Sequence, residues 1–580
     1  MAAAEAQNGL SREGFDKIVA SFGLTMKSDD ADGYYKLMQE LDDEVRTIEG
    51  LPDYVDPRLK PSEAVPLSGR KYHVPDKQDN RLNGWSHRGG QFELKDEAAV
   101  ANGLLAGRSV AVKDTIAVAG VPLTLGTAPF HLCANAPYPI PTIDAPVISR
   151  VVAAGGVIKG TSTCENYCMS GLSFTSATGP VENAWLRGYS AGGSSSGSAA
   201  LLAIGQVQAW REKRGLPVED LGEGVDLALG GDQGGSIRLP AAYSGVYGLK
   251  PTRGLVPYTG IGALHPLADN VGPMATSLAD VALLLSAIAG YDGLDPRCSP
   301  HTPLQRQDVP AYHEQLQAAI ANRQARGLWT PSTAGRGLRV GLLREALQRP
   351  ELDAGVAAVV RAAADRFAGL GATVVDVSAP LHAHGPAIWT VTMRDTAADV
   401  FIAGQAPDQL SLPIPGFAPP PPSQQWYDAM TTAAPTVVAG LFGSAYLGDR
   451  SRFPVRVRNK ALAHAVQLAA SYDALLSSEA GGVDVLLLPV TPSVGPRHSE
   501  MAGKSVLERY RAALGVSGNT APFNVSGHPA LSMPGGWATV EDGHGKLPVG
   551  LQIVGRHGDE VGVLLAASIL EVAGLGLDIE

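Results

Sequence analysis

Residues 338–377 change their apolar period twice within forty positions, and that alternation constrains the fold more than any other stretch. "LRVGLL" is a short apolar run, "LDAGVAAVVRAAADRFAGLG" repeats its apolar residues at helical spacing, and "ATVVDV" is β-branched again. A strand, a helix and a strand in that order form a crossover unit. The same interleaving recurs elsewhere. "SVAVKDTIAVAG" (109–120) is a β-branched run, and "PVISRVVAAGGVIKGTSTCENY" reads as helix, Gly-Gly stop and buried strand. "VDLALGGDQGGSIRLPAAYSGVYGLKP" reads as strand, glycine loop and short helix; "VDVLLLPVTP" and "LPVGLQIVG" are further buried strands. The expected class is α/β: a large mixed sheet covered by helices on both faces.

Composition narrows the function classes. The 580 residues carry a formal net charge of −11, with 45% hydrophobic and 18% charged residues. That profile suits a globular protein with a large core. The acidic balance argues against a nucleic-acid partner, whose phosphates need a basic face. No apolar run reaches the roughly 18 residues a membrane span needs. The N-terminal stretch lacks a basic start followed by an apolar core, so no secretory signal is expected. Four cysteines (Cys133, Cys164, Cys168, Cys298) make no disulfide framework, and the expected compartment is the cytoplasm.

Residues 1–80 read as an accessory helical segment ahead of a main body spanning 81–580. Tyr35, Leu37, Met38, Leu41, Val45 and Ile48 recur near helical spacing, so the segment is expected to cover the main body or, in a homodimer, a second subunit. Two stretches read as excursions. Residues 205–224 are charged and glycine-bounded, and are expected to form a solvated surface insertion. "LPIPGFAPPPPSQQW" (412–426) is Pro-rich and expected to be extended, within a 380–450 region that suits a pocket wall or lid.

Chemistry concentrates in "GGDQGGSIRLP" (230–240). A Walker loop needs a Lys-Ser/Thr pair after its glycines, and Ile237 and Arg238 stand after the serine instead. The glycine spacing also misses the dinucleotide fingerprint. Two readings remain: a glycine turn with a capping serine, or a nucleophile, Ser236, whose neighbouring N–H groups and helix start would stabilise an oxyanion. A nucleophile needs a base, and no histidine lies nearby. "GYSAGGSSSGSAA" (188–200) is a second Gly/Ser stretch, either a linker or the entry to the apolar helix that follows. Lys113 ends an apolar β-run; it is either an edge lysine or a desolvated amine, and desolvation favours the neutral, basic form.

Together these blocks resemble the amidase signature enzymes. "GGSSSGSAALLAIG" and "LALGGDQGGSIRLPAAYSGVYGLKPTRGLVP" are similar to that family's signature, "LAGRSVAVKDTIAVAGVPLTLGT" to its lysine strand, and "NTAPFNVSGHPALSMPGG" with "LPVGLQIVG" to its C-terminal blocks. The "GDQGGSI" variant looks like the bacterial amidases of nitrile degradation. The resemblance implies a Ser-Ser-Lys triad of Lys113, a bridging Ser194 on a cis peptide, and the nucleophile Ser236. It implies oxyanion donors in the N–H groups of Gln233, Gly234, Gly235 and Ser236, and supporting roles for Asp232, Arg238 and Ser195. It aligns Cys168, Met169 and Ser170 with the acyl pocket. It implies hydrolysis of a small aliphatic or aromatic amide without a cofactor. The alternatives are hydrolysis of a carbamate or aryl-acylamide, and a role in a transamidation complex. Cys164 and Cys168 lack a second ligand pair, so no metal is expected there. The stretch between the two serines is longer than the family pattern, by a segment that includes "QAWREKRGLPVED".

Overall fold

A computed structural model describes residues 9–89, 93–133, 137–300, 302–407, 411–449, 455–477, 481–574 and 577. Its strands are β1 (Tyr72–His73), β2 (Trp85–Gly89), β3 (Ser109–Lys113), β4 (Val157–Ser162), β5 (Leu227–Gly231), β6 (Tyr247–Lys250), β7 (Val271–Ala275), β8 (Arg339–Leu343), β9 (Thr373–Val377), β10 (Val485–Pro489), β11 (Ala530–Thr539) and β12 (Lys546–Val554). All twelve belong to one sheet in the order β1-β2-β4-β3-β5-β7-β6-β11-β12-β10-β8-β9. The sheet is mixed, as the sequence leads one to expect: β3 pairs in parallel with β4 and β5, β8 with β9 and β10, and the remaining neighbours are antiparallel.

The 338–377 unit shows how the local pattern works. Asp353 caps helix Ala354–Gly369, its carboxylate accepting from Gly355 N–H at 2.7 Å and Val356 N–H at 3.1 Å. The buried face is Val356, Ala357, Val360, Ala363, Ala364 and Phe367, which recur at intervals of three and four. β8 and β9 flank that helix in sequence and lie side by side in parallel register.

Strand alternation sorts side chains onto two faces. Val110 and Val112 of β3 and Leu227 and Leu229 of β5 join one core cluster, with helices Pro146–Ala153, Leu278–Ile288, Ala354–Gly369 and Glu560–Glu571. Ala111, Ala228 and Met274 join the other, with residues 199–207 of helix Ser196–Lys213. Lys113 is two positions beyond Ala111 and so shares the face of that second helix.

The chain divides between Arg58 and Leu59, earlier than the boundary at 80 read from the sequence. Residues 59–80 belong with the larger unit because they are pinned into it. Val65 enters its core, and Arg70 forms a buried ion pair with Asp144 at 2.6 Å. In the N-terminal unit, Ser11 caps helix Arg12–Ser21, which joins helix Ser28–Glu49 through the Phe15–Tyr35 ring contact at 5.6 Å. Leu37, Leu41, Val45 and Ile48 of the second helix are exposed.

The insertion also differs from expectation. Helix Ser196–Lys213 runs straight into it, so residues 205–213 are helical rather than a solvated loop. The cause is anchoring: Val207 is buried, and Trp210 packs on Trp185 and Trp537 with ring centroids 5.6 and 5.9 Å away. Residues 214–224 are mostly exposed irregular chain. The Pro-rich stretch ends at Ser423, which caps helix Gln424–Ala433 by accepting from Trp426 N–H at 3.2 Å. No helix among the described residues is long and apolar enough to cross a membrane.

Candidate active site

β3 delivers Lys113 to the interior, where it is fully buried. Its Nζ lies 2.8 Å from Ser194 Oγ and 3.2 Å from the Gly231 carbonyl at the end of β5. Ser194 follows a cis Gly193–Ser194 peptide and directly precedes Ser195, the N-terminal neighbour of helix Ser196–Lys213. Ser195 ties the two serine loops together. Its hydroxyl donates to Gly231 O at 3.2 Å, and its N–H donates to the Ser236 carbonyl at 3.2 Å. Ser236 Oγ has no hydrogen-bond partner among the described residues, so nothing there ties its hydroxyl down.

The glycine loop is wrapped around Asp232. One carboxylate oxygen accepts from Gly235 N–H at 2.7 Å and Asn524 Nδ2 at 2.8 Å; the other accepts from Ile237 N–H at 3.1 Å. Arg238 adds a bidentate pair, Nε and Nη2 each at 3.0 Å. All five guanidinium donors are used, since Nη1 also reaches Thr520 O at 3.0 Å and Gln552 Oε1 at 2.7 Å, and Nη2 reaches Asn524 Oδ1 at 2.7 Å. Burial raises the Asp232 carboxyl, but the Arg238 charge and these hydrogen bonds outweigh it and hold the group at about 2.

This arrangement corrects two expectations. The Gly235 N–H is spent on Asp232 and is not free to serve as an oxyanion donor. The start of helix Arg238–Ser244 likewise faces the Asp232 carboxylate, because a permanent buried charge takes the donors first. The N–H groups of Gln233, Gly234 and Ser236 make no hydrogen bond to the described residues. Gly235 has φ +138°, and a Cβ there would sit 2.3 Å from Thr520 Oγ1, so only glycine fits.

Ser236 opens onto a pocket lined by Cys168, Met169, Ser170, Gln233 and Gly234, with Leu264, Trp389 and Phe401 among its apolar walls. Trp389 and Phe401 come from the 380–450 region. Trp389 Nε1 donates to Gln233 O at 2.7 Å, fixing the indole over Gly234. The Ser170 hydroxyl closes its own turn by donating to Leu172 O at 2.7 Å. Burial raises the Cys168 thiol, but its neighbours Cys164, Lys113 and Ser194 pull it below the usual range.

Beneath the serines, the Glu165 carboxylate accepts from Thr175 N–H at 2.7 Å, Thr175 Oγ1 at 2.6 Å and Ser196 Oγ at 2.9 Å. Burial pushes it up to about 7 despite these donors. Because its folded pKa lies above its unfolded one, the folded state holds the extra proton between about pH 4.5 and 7, and stability from this group falls as pH rises through that window. Glu165→Gln keeps the acceptor toward Thr175 and removes the titration. Relative to the parent, its unfolding free energy is expected to gain roughly 3 kcal/mol from pH 4.5 to 8. Parallel urea curves without that divergence would refute the assignment.

Sequence reading missed Trp389, Thr520, Asn524 and Gln552. The last three lie 282, 286 and 314 residues from Arg238, and no local period signals such a contact. A signal did exist for two of them, since Thr520 and Asn524 are polar residues inside the small-residue run "NTAPFNVSG".

The Amidase family profile matches residues 90–209 and 222–564, breaking within the insertion. An enantioselective amidase of Rhodococcus rhodochrous is 33% identical over 526 residues, covering 90% of this chain and 89% of that protein. A glutamyl-tRNA(Gln) amidotransferase subunit from Synechococcus sp. (strain CC9311) is 32% identical over 467 residues, covering 78% and 80%. Among solved structures, the native peptide amidase from Stenotrophomonas maltophilia is similar with TM-score 0.58 and 25% identity, covering 80% and 82%.

Proposed function

The chain belongs to the amidase family and is an amide hydrolase, and from that premise we propose that it cleaves a small aliphatic or aromatic carboxamide through a Ser236–Ser194–Lys113 relay. Lys113 Nζ accepts the Ser194 proton while Ser194 Oγ accepts that of Ser236. Ser236 Oγ attacks the amide carbonyl carbon, and the N–H groups of Gln233, Gly234 and Ser236 receive the oxyanion. On collapse the C–N bond breaks, the relay proton passes to the leaving nitrogen, and ammonia or an amine departs. Water then attacks the acyl-enzyme, its proton returning along the same relay, and the acid is released.

The observation that carries this reading is the fully buried Lys113 amine 2.8 Å from Ser194 Oγ, on a loop bonded to that of Ser236, which lines an apolar pocket. The Ser195 N–H bond to the Ser236 carbonyl keeps the two serine loops docked. A cytoplasmic location fits the four free cysteines, and the exposed Leu37, Leu41, Val45 and Ile48 stripe favours a homodimer.

The amidotransferase relatives favour a second reading, an ammonia-supplying component that works only with partners. The purified chain offered a panel of amides, anilides and carbamates separates the two. Release of acid and ammonia from a small amide by the chain alone is expected. Silence on every substrate, with ammonia formed only when partner proteins are added, would favour the second reading. A panel won by carbamates or anilides would keep the relay and replace the substrate class.

A further inference from the structure

Away from the Ser236 pocket, three side chains distant in sequence converge on one point. Asp473 lies near the end of helix Arg456–Leu475, His528 follows helix Ala521–Ser526, and His557 stands in the turn after β12. Asp473 Oδ1 is 3.1 Å from His528 Nε2 and 3.3 Å from His557 Nδ1, and the three donor atoms all lie within 4.8 Å of one another. A tetrahedral ion with bonds of about 2.0–2.1 Å sets its donor atoms roughly 3.3 Å apart, which two of these separations already approach.

The outer nitrogens are held by a single residue. His528 Nδ1 is 3.1 Å from Ser526 Oγ, and His557 Nε2 is 3.0 Å from the Ser526 carbonyl. A carbonyl only accepts, so His557 Nε2 carries a proton. The Ser526 contacts supply the outer support that orients metal-binding imidazoles, leaving the other nitrogen of each ring turned to Asp473.

The geometry points to a divalent transition-metal site of zinc type, built by Asp473, His528 and His557, that clamps three segments of the C-terminal half. Two imidazoles and one carboxylate select zinc, copper, nickel or cobalt over magnesium and calcium, which need more oxygen donors. Asp473 is 55% exposed at its side chain, giving the ion an entrance and water a place to complete the coordination. Lys250 acts on both imidazoles, but burial and Arg238 pull its amine well below the usual lysine range, which lessens its opposition to the ion, and its Nζ donates to Pro251 O at 2.8 Å. The clamp bears on the catalytic half through helix Ala521–Ser526, whose Asn524 holds Asp232. Cysteine spacing reveals nothing of it, because the ligands are 55 and 84 residues apart.

The test uses the full chain stripped of metal with a chelator, titrated with ZnCl2 by calorimetry and followed by thermal melting. One saturable equivalent and a rise in Tm on the order of 2–4 °C are expected. Co2+ is expected to give the intense visible bands of a low-symmetry site. His557→Gln and Asp473→Asn, both on partly exposed side chains, are expected to weaken Zn2+ binding at least about tenfold without lowering the metal-free Tm. His528 is buried, so its variant is not needed. Absence of saturable binding, or equal binding by parent and both variants, overturns the site; a bare imidazolium–carboxylate pair then explains the distances.

Discussion

Ser236→Ala is expected to lower turnover of a small amide by about 10⁴- to 10⁶-fold while leaving the fold as it is. The structure gives both halves of that result. Ser236 lines the pocket. Its hydroxyl has no partner among the described residues, so its removal leaves no donor or acceptor stranded. A Tm within about 1–2 °C of the parent is expected, because removing a hydroxyl that has no partner among the described residues costs little. Lys113→Ala is expected to approach the same loss of turnover, and the double variant to be no worse than either alone, since relay members act as a unit. Lys113→Ala differs in stability, because it empties a buried volume beside Ser194 and Gly231. Full activity in Ser236→Ala would sink the nucleophile. Additive losses in the double variant would break the relay.

Arg238→Met is expected to cost about 3–5 kcal/mol of unfolding free energy, read from urea melts. The guanidinium is fully buried and neutralises Asp232, whose charge the variant would leave unpaired in the interior. The same change strands Gln552 Oε1 and Asn524 Oδ1, which each receive an Arg238 N–H at 2.7 Å. Arg238→Lys is expected to recover little. An ammonium has three donors and no fork, and five acceptor directions are already assigned. Turnover should fall with stability, because Asp232 shapes the loop that carries Ser236. A variant as stable as the parent would show that the Asp232 charge is not the brace it looks like.

The Glu165 and Asp232 carboxyls make a useful contrast. Both are fully buried, yet one stands at about 7 and the other at about 2. Neutral hydrogen bonds from Thr175 and Ser196 do not outweigh desolvation, whereas a guanidinium in bidentate contact does. The glycine loop is thus held by a charge that stays ionised across ordinary pH.

The strand–helix–strand rhythm of 338–377 and the runs ending at Lys113 and Gly231 were readable because strand and helix periods are local. Period two even places Lys113 on the face of Ala111, toward the helix that Ser194 leads into. The Gly-rich signature around Ser236 was readable for the same reason: a backbone that tight admits few residues. Several features depended on packing between distant segments. Charge and glycine content made 205–213 look like a loop, but Trp185 and Trp537 hold Trp210 in a helix. Gly235 looked like an oxyanion donor until Asp232 took its N–H. Trp389 reached the pocket only through helix Gly385–Arg394, and Asp473, His528 and His557 met only when three elements docked. Periodicity and turn chemistry act over a few residues and are written in the chain. Which donor a buried charge captures, and which distant side chain closes a pocket, are settled by competition among groups that only the packed sheet and helices bring within reach.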